Sequence, residues 1–169
     1  MDLMEAIHTR RSIRSYRDEP VPEKMIEEIL KAAMMAPSAG NEQPWQFIII
    51  NKSELLQEIP NIHPHSKMVL DAPVAILVSG DMTFAKHGEF WVQDCSAAVQ
   101  NLLLAAHGYG LGAVWLGIYP REQLVESFRN LLDLPENIVP FALIPIGHPA
   151  QPSQTMDRFD PDRIHENGM

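Results

Sequence analysis

An unusual concentration of positive charge lies near the start of the chain. The protein has 13 Lys+Arg against 22 Asp+Glu and a formal net charge of −9, yet four arginines fall within eight positions. A guanidinium presents a planar fork of N–H donors that matches phosphate oxygens, and a serine among them adds a hydroxyl and a backbone N–H. The pattern is typical of a phosphate site, but a solvated cluster that pairs with Asp18 and Glu19 would look the same. The cluster comprises Arg10, Arg11, Ser12, Arg14 and Arg17.

Other patterns that could carry chemistry are weaker. The glycines of segment 108–112 follow a helical pattern and precede a strand, which is the reverse of a dinucleotide-binding loop. His63 and His65 have no further ligands at metal-binding spacing, so we expect a surface loop and no metal site. Cys95 lies within a helical pattern without a histidine partner, which favours a buried core residue. Since no acid/base pair is evident, we expect a cofactor to supply any difficult chemistry.

Composition excludes several classes of partner and compartment. The negative net charge disfavours binding to nucleic acid and to anionic lipid. Segment 102–116 is the most apolar stretch, but a histidine and three glycines interrupt it and it is too short to span a bilayer. A single cysteine and an N-terminus without signal-peptide features predict a cytoplasmic protein.

Hydrophobic periodicity predicts the elements that would position these residues. We expect one α+β domain, a sandwich in which helices cover a central sheet whose strands are too apolar to have a solvated face. Residues 60–66 should form a flexible surface lid, and the polar tail from about residue 150 should wrap over a neighbouring subunit. The predicted helices are Leu3–Thr9, one that begins near Glu23 and ends before Pro37, Ser53–Ile59, Phe90–His107 and Gln123–Leu132; the predicted strands are Trp45–Ile50, Pro73–Val78, Leu111–Leu116 and Phe141–Ile146.

Four segments, in their order and spacing, resemble the FMN-dependent nitroreductase family. Together they extend the resemblance from about Leu3 to Arg158. It implies a single FMN-binding domain over residues 1–169, with a central, mostly antiparallel sheet. The segments are RRSIRSY at 10–16, APSAGNEQPW at 36–45, QNLLLAA at 100–106 with GLG at 110–112, and PIGHP at 145–149.

The resemblance also implies a homodimer with FMN in each of two interfacial sites, each lined by residues of both subunits. Arg10, Arg11 and Ser12 would bind the FMN phosphate, with help from Arg158. Arg14 would reach toward the ribityl and pyrimidine end of the flavin. Larger relatives have a further basic residue where this chain has Met156, so the phosphate would depend more on the N-terminal arginines.

Three further segments would complete the implied site. A loop of the opposite subunit would contact the flavin, and two residues that follow it would touch the flavin or support the loop. A strand would pass behind the isoalloxazine, and a glycine near the end of the domain would complete the wall. The loop of the opposite subunit is Pro37, Ser38 and Ala39, and the two residues that follow it are Asn41 and Gln43. The strand behind the isoalloxazine is Trp115, Leu116 and Gly117, and the glycine of the wall is Gly147.

The implied activity is hydride transfer from NADH or NADPH through FMN to a nitroaromatic, quinone or similar acceptor, by a ping-pong cycle. No side chain is assigned as catalytic, because the flavin carries the chemistry. Two alternatives stay open: a flavin-binding or sensing protein without turnover, and a specialised flavin-fragmenting or dehalogenating relative. At 169 residues the chain lacks room for the insertions of larger members, which predicts an open acceptor pocket.

Overall fold

The computed structural model describes residues 1–152 and 156–169 and contains a five-stranded antiparallel sheet between two layers of helices. This confirms the predicted α+β sandwich. The helices are α1 (Leu3–Thr9), α2 (Glu23–Met34), α3 (Ser53–Ile62), α4 (Phe90–Gly108) and α5 (Glu122–Leu132), and the strands are β1 (Trp45–Ile50), β2 (Val74–Asp81), β3 (Gly112–Ala113), β4 (Leu116–Gly117) and β5 (Ile138–Gly147).

Strands β2 and β5 form the centre of the sheet. The order is β1-β2-β5-β3, and β4 also pairs with β5. The predicted single strand Leu111–Leu116 was wrong, since two short strands take its place. Both short strands pair with β5 in the same register, with Ala113 opposite Ile146 and Leu116 opposite Leu143. The ladder is interrupted between these pairs, where β5 carries Pro145, because proline has no N–H to donate.

Alternation along β2 builds two cores. Ile76 packs with α2 and α4 on one face of the sheet, and its neighbour Leu77 packs with α3 and α5 on the other. Both side chains are fully buried, as expected where successive residues of a strand point to opposite faces. In the part of the chain that the structure describes, no helix is long and apolar enough to cross a membrane.

Strand β1 lies at the edge of the sheet and does not follow the prediction that both its faces are covered. Ile49 remains 48% exposed and lines a groove of about 980 Å³ beside α2. None of the residues predicted to bind the cofactor lines this groove. An edge strand has a neighbour on one side only, which the apolar sequence of β1 does not reveal.

The predicted irregular surface segment at residues 60–66 was wrong in part: Asn61, Pro64 and His65 are exposed, but the segment begins inside a helix and buries two of its polar residues. Its motion as a lid stays a prediction. Helix α3 continues past Ile59 and includes Pro60. The segment then turns inward, so that His63 is 3% exposed and Ser66 is fully buried. The Ser66 hydroxyl donates to the His63 carbonyl at 2.7 Å, and the His63 ring lies against Gly117. These internal hydrogen bonds allow a polar segment to be buried.

Candidate functional site

The arginine cluster includes a residue from the far end of the chain. Arg11 donates from Nη2 to the Met156 carbonyl at 3.2 Å, which brings the C-terminal segment back to the cluster. Partial burial lowers the pKa of Arg10, and the charges of Arg11 and Arg158 lower it further. Three cations therefore lie close enough to repel one another, an arrangement that a bound anion would relieve.

Acidic neighbours do not neutralise the whole cluster. Arg17 forms an ion pair with Glu19 at 3.3 Å between Nη2 and Oε2, as the alternative of a solvated cluster requires. Within residues 1–152 and 156–169, no carboxylate lies within 4.0 Å of the guanidinium of Arg10 or Arg14. Of Arg10, Arg14 and Arg17, only Arg17 therefore fits the solvated-cluster interpretation.

His107, in the last turn of α4, is hydrogen-bonded to Thr9, the residue that precedes the arginine cluster. Thr9 donates from its hydroxyl to the Glu5 carbonyl at 2.7 Å, so it accepts the hydrogen bond from His107 Nε2 at 2.8 Å. Burial lowers the pKa of His107, and the charges of Arg10 and Arg11 lower it further, against a smaller opposing effect of Glu5. The ring is therefore favoured in its neutral form beside the arginines.

The segment after the arginines lies along β3. The Ile13 N–H donates to the Ala113 carbonyl at 3.0 Å, and Ser12 forms a parallel bridge with Ala113. A Cβ on Gly112 would come within 2.6 Å of the Ile13 side chain, so only glycine allows this approach. The strand β3 therefore fixes the basic cluster to the edge of the sheet.

From β3 the chain runs on to β4, where one residue, Gly117, exposes its backbone. Trp115 packs edge-on against Phe141 with ring centroids 5.6 Å apart, and Leu116 is buried in the second core. Gly117 is exposed, and a Cβ placed there would meet no atom within 4 Å. An open, side-chain-free surface of this kind can receive a flat ligand.

Gly147 has a different environment. It pairs with Gly112 at the end of β5, and a Cβ there would lie 2.9 Å from both Pro73 and Tyr16. Packing alone accounts for glycine at this position. Its predicted contact with a flavin stays a prediction.

The loop Pro37–Gln43 is fixed by its own side chains and by α4. The Ser38 hydroxyl accepts the Gln43 N–H at 3.0 Å, and Gln43 donates from Nε2 to Asn41 Oδ1 at 2.9 Å. Asp94 on α4 accepts the Ala39 N–H at 2.9 Å. Asn41 and Gln43 are exposed, and their hydrogen bond to each other lies within the loop. Their predicted contact with a flavin stays a prediction.

Hydrogen bonds between Glu42 and His87 also fix this loop. The Glu42 carboxylate accepts hydrogen bonds from His87 Nδ1 at 2.6 Å and from the His87 N–H at 3.3 Å. Gly40 has φ +56°, and a Cβ on it would come within 2.5 Å of the His87 ring. Burial would raise the pKa of Glu42, but the hydrogen bonds and charge of His87 outweigh it and the pKa is lowered.

Helix α4 separates the two groups of predicted site residues. Asp94, which holds the loop, lies in its second turn, and His107, which supports the arginines, lies in its last turn. Thirteen residues of α-helix span about 20 Å. The structure brings Arg10, Arg11 and Ser12 together with Arg158 and β3, but it holds the loop Pro37–Gln43 at the opposite end of α4.

Several residues of the site have no signal in the sequence. Asp94, His63 and His107 act through contacts with residues far away in the chain, so their type and spacing did not single them out for these roles.

The prediction that Cys95 is a buried core residue is confirmed. Its side chain is fully buried, and burial, followed by the charge of Asp94, raises its pKa to about 12. Among the described residues no group of three potential metal ligands occurs.

Comparison with known proteins gives a consistent result. The model of the nitroreductase family matches residues 7–68 and 63–148. The chain is 57% identical over 165 residues, 98% of its length and 86% of the relative's, to a "Putative NADH dehydrogenase/NAD(P)H nitroreductase" of Methanothermobacter thermautotrophicus. It is 29% identical to an FMN reductase [NAD(P)H] of Bacillus subtilis, covering 97% of this chain and 72% of that one. The structure of an FMN-dependent nitroreductase from Clostridium difficile superposes with a TM-score of 0.91 at 27% identity, covering 99% and 100% of the two chains.

Proposed function

Since the chain belongs to the nitroreductase family, we propose that it is an FMN-dependent oxidoreductase that transfers hydride from NADH or NADPH to a nitroaromatic, quinone or similar acceptor. The observation that carries the proposal is the cluster of mutually repelling arginines beside β3, in the same segment of the sheet as the exposed backbone of Gly117. The site has a place for an anion and a place for a flat ring, as FMN requires.

The basic cluster fits the phosphate of FMN. Arg10, Arg11, Ser12 and Arg158 would bind its oxygens, because charge-assisted hydrogen bonds from guanidinium groups suit phosphate. Burial is the main cause of the lowered pKa of Arg10, and the charges of Arg11 and Arg158 add to it; a bound anion would offset that repulsion, which supports this assignment. Bound FMN would supply reversible acceptance of a hydride, a reaction that no side chain of the protein performs.

Two features of the structure would accommodate the isoalloxazine ring of FMN. Gly117 leaves room for close approach to the backbone, and the half-buried Trp115 behind it is fixed by its contact with Phe141. Arg14 is exposed and has no carboxylate within 4.0 Å among the described residues, so it can place positive charge beside the pyrimidine end. Positive charge at that position favours the reduced flavin, which carries more negative charge.

We further propose that two chains form each site. The cavity beside Arg11 and His107 has a volume of about 240 Å³ and is lined by no other residue assigned to FMN, so it does not by itself form the site. The loop Pro37–Gln43, at the other end of α4, is available to a second subunit. Helix α1 also exposes an apolar face whose residues would be covered in a dimer, namely Leu3, Met4 and Ile7.

The C-terminal tail supports the same arrangement. Met156 contacts Arg11 of its own chain, while Phe159 is 74% exposed and Ile164 is 62% exposed. We propose that these apolar side chains pack on the partner subunit. Residues 153–155 lie outside the described residues.

The visible spectrum of the purified protein tests the proposal directly. We expect flavin absorption bands that bleach on anaerobic addition of NADH or NADPH and return when a nitroaromatic or a quinone is added. Parallel lines in double-reciprocal plots would support the ping-pong cycle. Bands that neither nucleotide bleaches would favour a flavin-binding protein without turnover, and a colourless protein that does not take up FMN would contradict the proposal.

A further inference from the structure

The ring of His63 is buried with both nitrogens hydrogen-bonded. Nδ1 accepts the N–H of His65 at 3.2 Å, so this nitrogen carries no proton. The proton is therefore on Nε2, which donates to the Gly117 carbonyl at 3.1 Å. The ring is a fixed, neutral donor aimed at the strand β4 from the side of α3.

This hydrogen bond completes the fixation of one peptide unit. The N–H of the Gly117–Ile118 peptide donates to the Phe141 carbonyl at 3.0 Å, and its carbonyl accepts from His63. The peptide is planar and trans, so its N–H and its carbonyl point in opposite directions and both hydrogen bonds hold the same orientation. Glycine gives little resistance to rotation of an adjacent peptide, so these two bonds set the cost of turning the Gly117 carbonyl, and without His63 only the bond to Phe141 opposes that turn.

We propose that His63 is a positioning residue of the flavin site that holds the Gly117 carbonyl on the buried side of β4. The inference rests on the proposed function, in which Gly117 faces the isoalloxazine. A carbonyl oxygen carries partial negative charge, and one turned toward the ring would disfavour the negative charge that the flavin gains on reduction. His63 thereby favours the reduced state without touching the flavin.

Two substitutions separate the hydrogen bonds of the ring. His63→Gln places an amide N–H near the position of Nε2 and can keep the bond to Gly117. His63→Asn places an amide oxygen near Nδ1 and can keep the bond from His65, but it does not reach Gly117. His65→Ala is the matched control, because it removes an exposed ring in the same loop and leaves the His65 N–H in place.

The test measures the dissociation constants of oxidised and reduced FMN and the midpoint potential of the bound flavin. In His63→Asn we expect the affinity for reduced FMN to fall about tenfold more than that for oxidised FMN, as the loss of one hydrogen bond predicts, with a more negative midpoint potential. His63→Gln and His65→Ala should stay near wild type. In the apo-proteins, amide hydrogen exchange should accelerate at Ile118 in His63→Asn but not in His63→Gln.

Two results would overturn the positioning role: equal shifts of the midpoint potential in His63→Asn and His63→Gln, or no shift in either variant although the wild type binds FMN. Both results would leave the proposed function intact. Failure of wild type to bind FMN would remove both. If His63→Asn does not fold, nitrogen-15 NMR of the wild-type ring decides. An Nε2–H tautomer whose signal changes on reduction of bound FMN supports the role, and an Nδ1–H tautomer or an unresponsive signal overturns it.

Discussion

Asp94 accepts the backbone N–H of Ala39 on Oδ1 at 2.9 Å, while its Oδ2 is buried with no hydrogen-bond partner in the described part of the chain. A buried carboxylate on α4 thus fixes the loop Pro37–Gln43 through one bond. Because Ala39 lies in the loop proposed to reach the flavin of the partner, this contact connects the packing of α4 with cofactor binding.

Removal of this anchor should weaken FMN binding. We expect Asp94→Leu to lower the affinity for FMN by a factor of about 10 to 100, since a hydrogen bond to a charged group contributes about 1.5–3 kcal/mol. Asp94→Asn keeps an oxygen for the Ala39 N–H and should have a smaller effect. Fluorescence titration with FMN measures both, with the exposed Gln93→Ala as control. Wild-type affinity in Asp94→Leu would show that the loop does not need the anchor.

The arginine cluster should be needed for FMN and not for the fold. We expect Arg10→Ala combined with Ser12→Ala to lower FMN affinity by a factor of about 10 to 100 per lost contact, while the apo-protein stays folded because mutual repulsion is relieved. Arg17→Ala is the control, since Arg17 pairs with Glu19. Circular dichroism and FMN titration are the measurements. An unfolded double variant would instead assign the cluster a structural role.

Trp45 should contribute to stability and not to chemistry. It begins β1 opposite Gly80 and is 6% exposed within the core of α2 and α4. Trp45→Ala should lower the free energy of unfolding by about 3–5 kcal/mol, the usual cost of emptying a large buried site. Urea unfolding of the apo-protein measures this. Ile49→Ala, on the same strand but 48% exposed, should cost less, and equal losses would contradict the burial pattern.

His107 should make the apo-protein less stable in acid. Its pKa in the folded state is lowered by burial and by Arg10 and Arg11, with Glu5 opposing. The unfolded chain therefore binds the proton more readily, so stability is lost as the pH falls through the ordinary histidine range, about pH 6.5 and below. Unfolding midpoints at about pH 7.5 and pH 5.5 should differ less in His107→Gln, which keeps a donor for Thr9. An identical pH dependence in both proteins would exclude His107 as the cause.

The elements of the fold were largely predictable because they follow local patterns. Helix α1 and strand β1 have the predicted bounds, and the glycines of segment 108–112 extend from the end of α4 to the start of β3, as predicted. The interruption of the ladder at Pro145 was not predictable, because it depends on which residue of β5 lies opposite Val114. Local patterns do not specify such long-range registers.

The site was predictable only in part, for a similar reason. Arg10 and Ser12 stand out because arginine clusters are rare in an acidic chain. The buried position of His63 depends on Gly117, 54 residues away, and its surroundings of proline and histidine suggested a surface loop. Polar residues that act by supporting distant backbone have no pattern of their own in the sequence.

The burial of Cys95 makes the protein a favourable subject for site-specific labelling. Maleimides react with thiolates, and a fully buried thiol with a pKa near 12 presents almost none at neutral pH. It is the only cysteine of the chain, so a second one introduced at the surface, for example at Met35, which is 81% exposed, would be the single reactive thiol. Fluorescent or spin labels can then report distances within the proposed dimer without prior removal of the native cysteine.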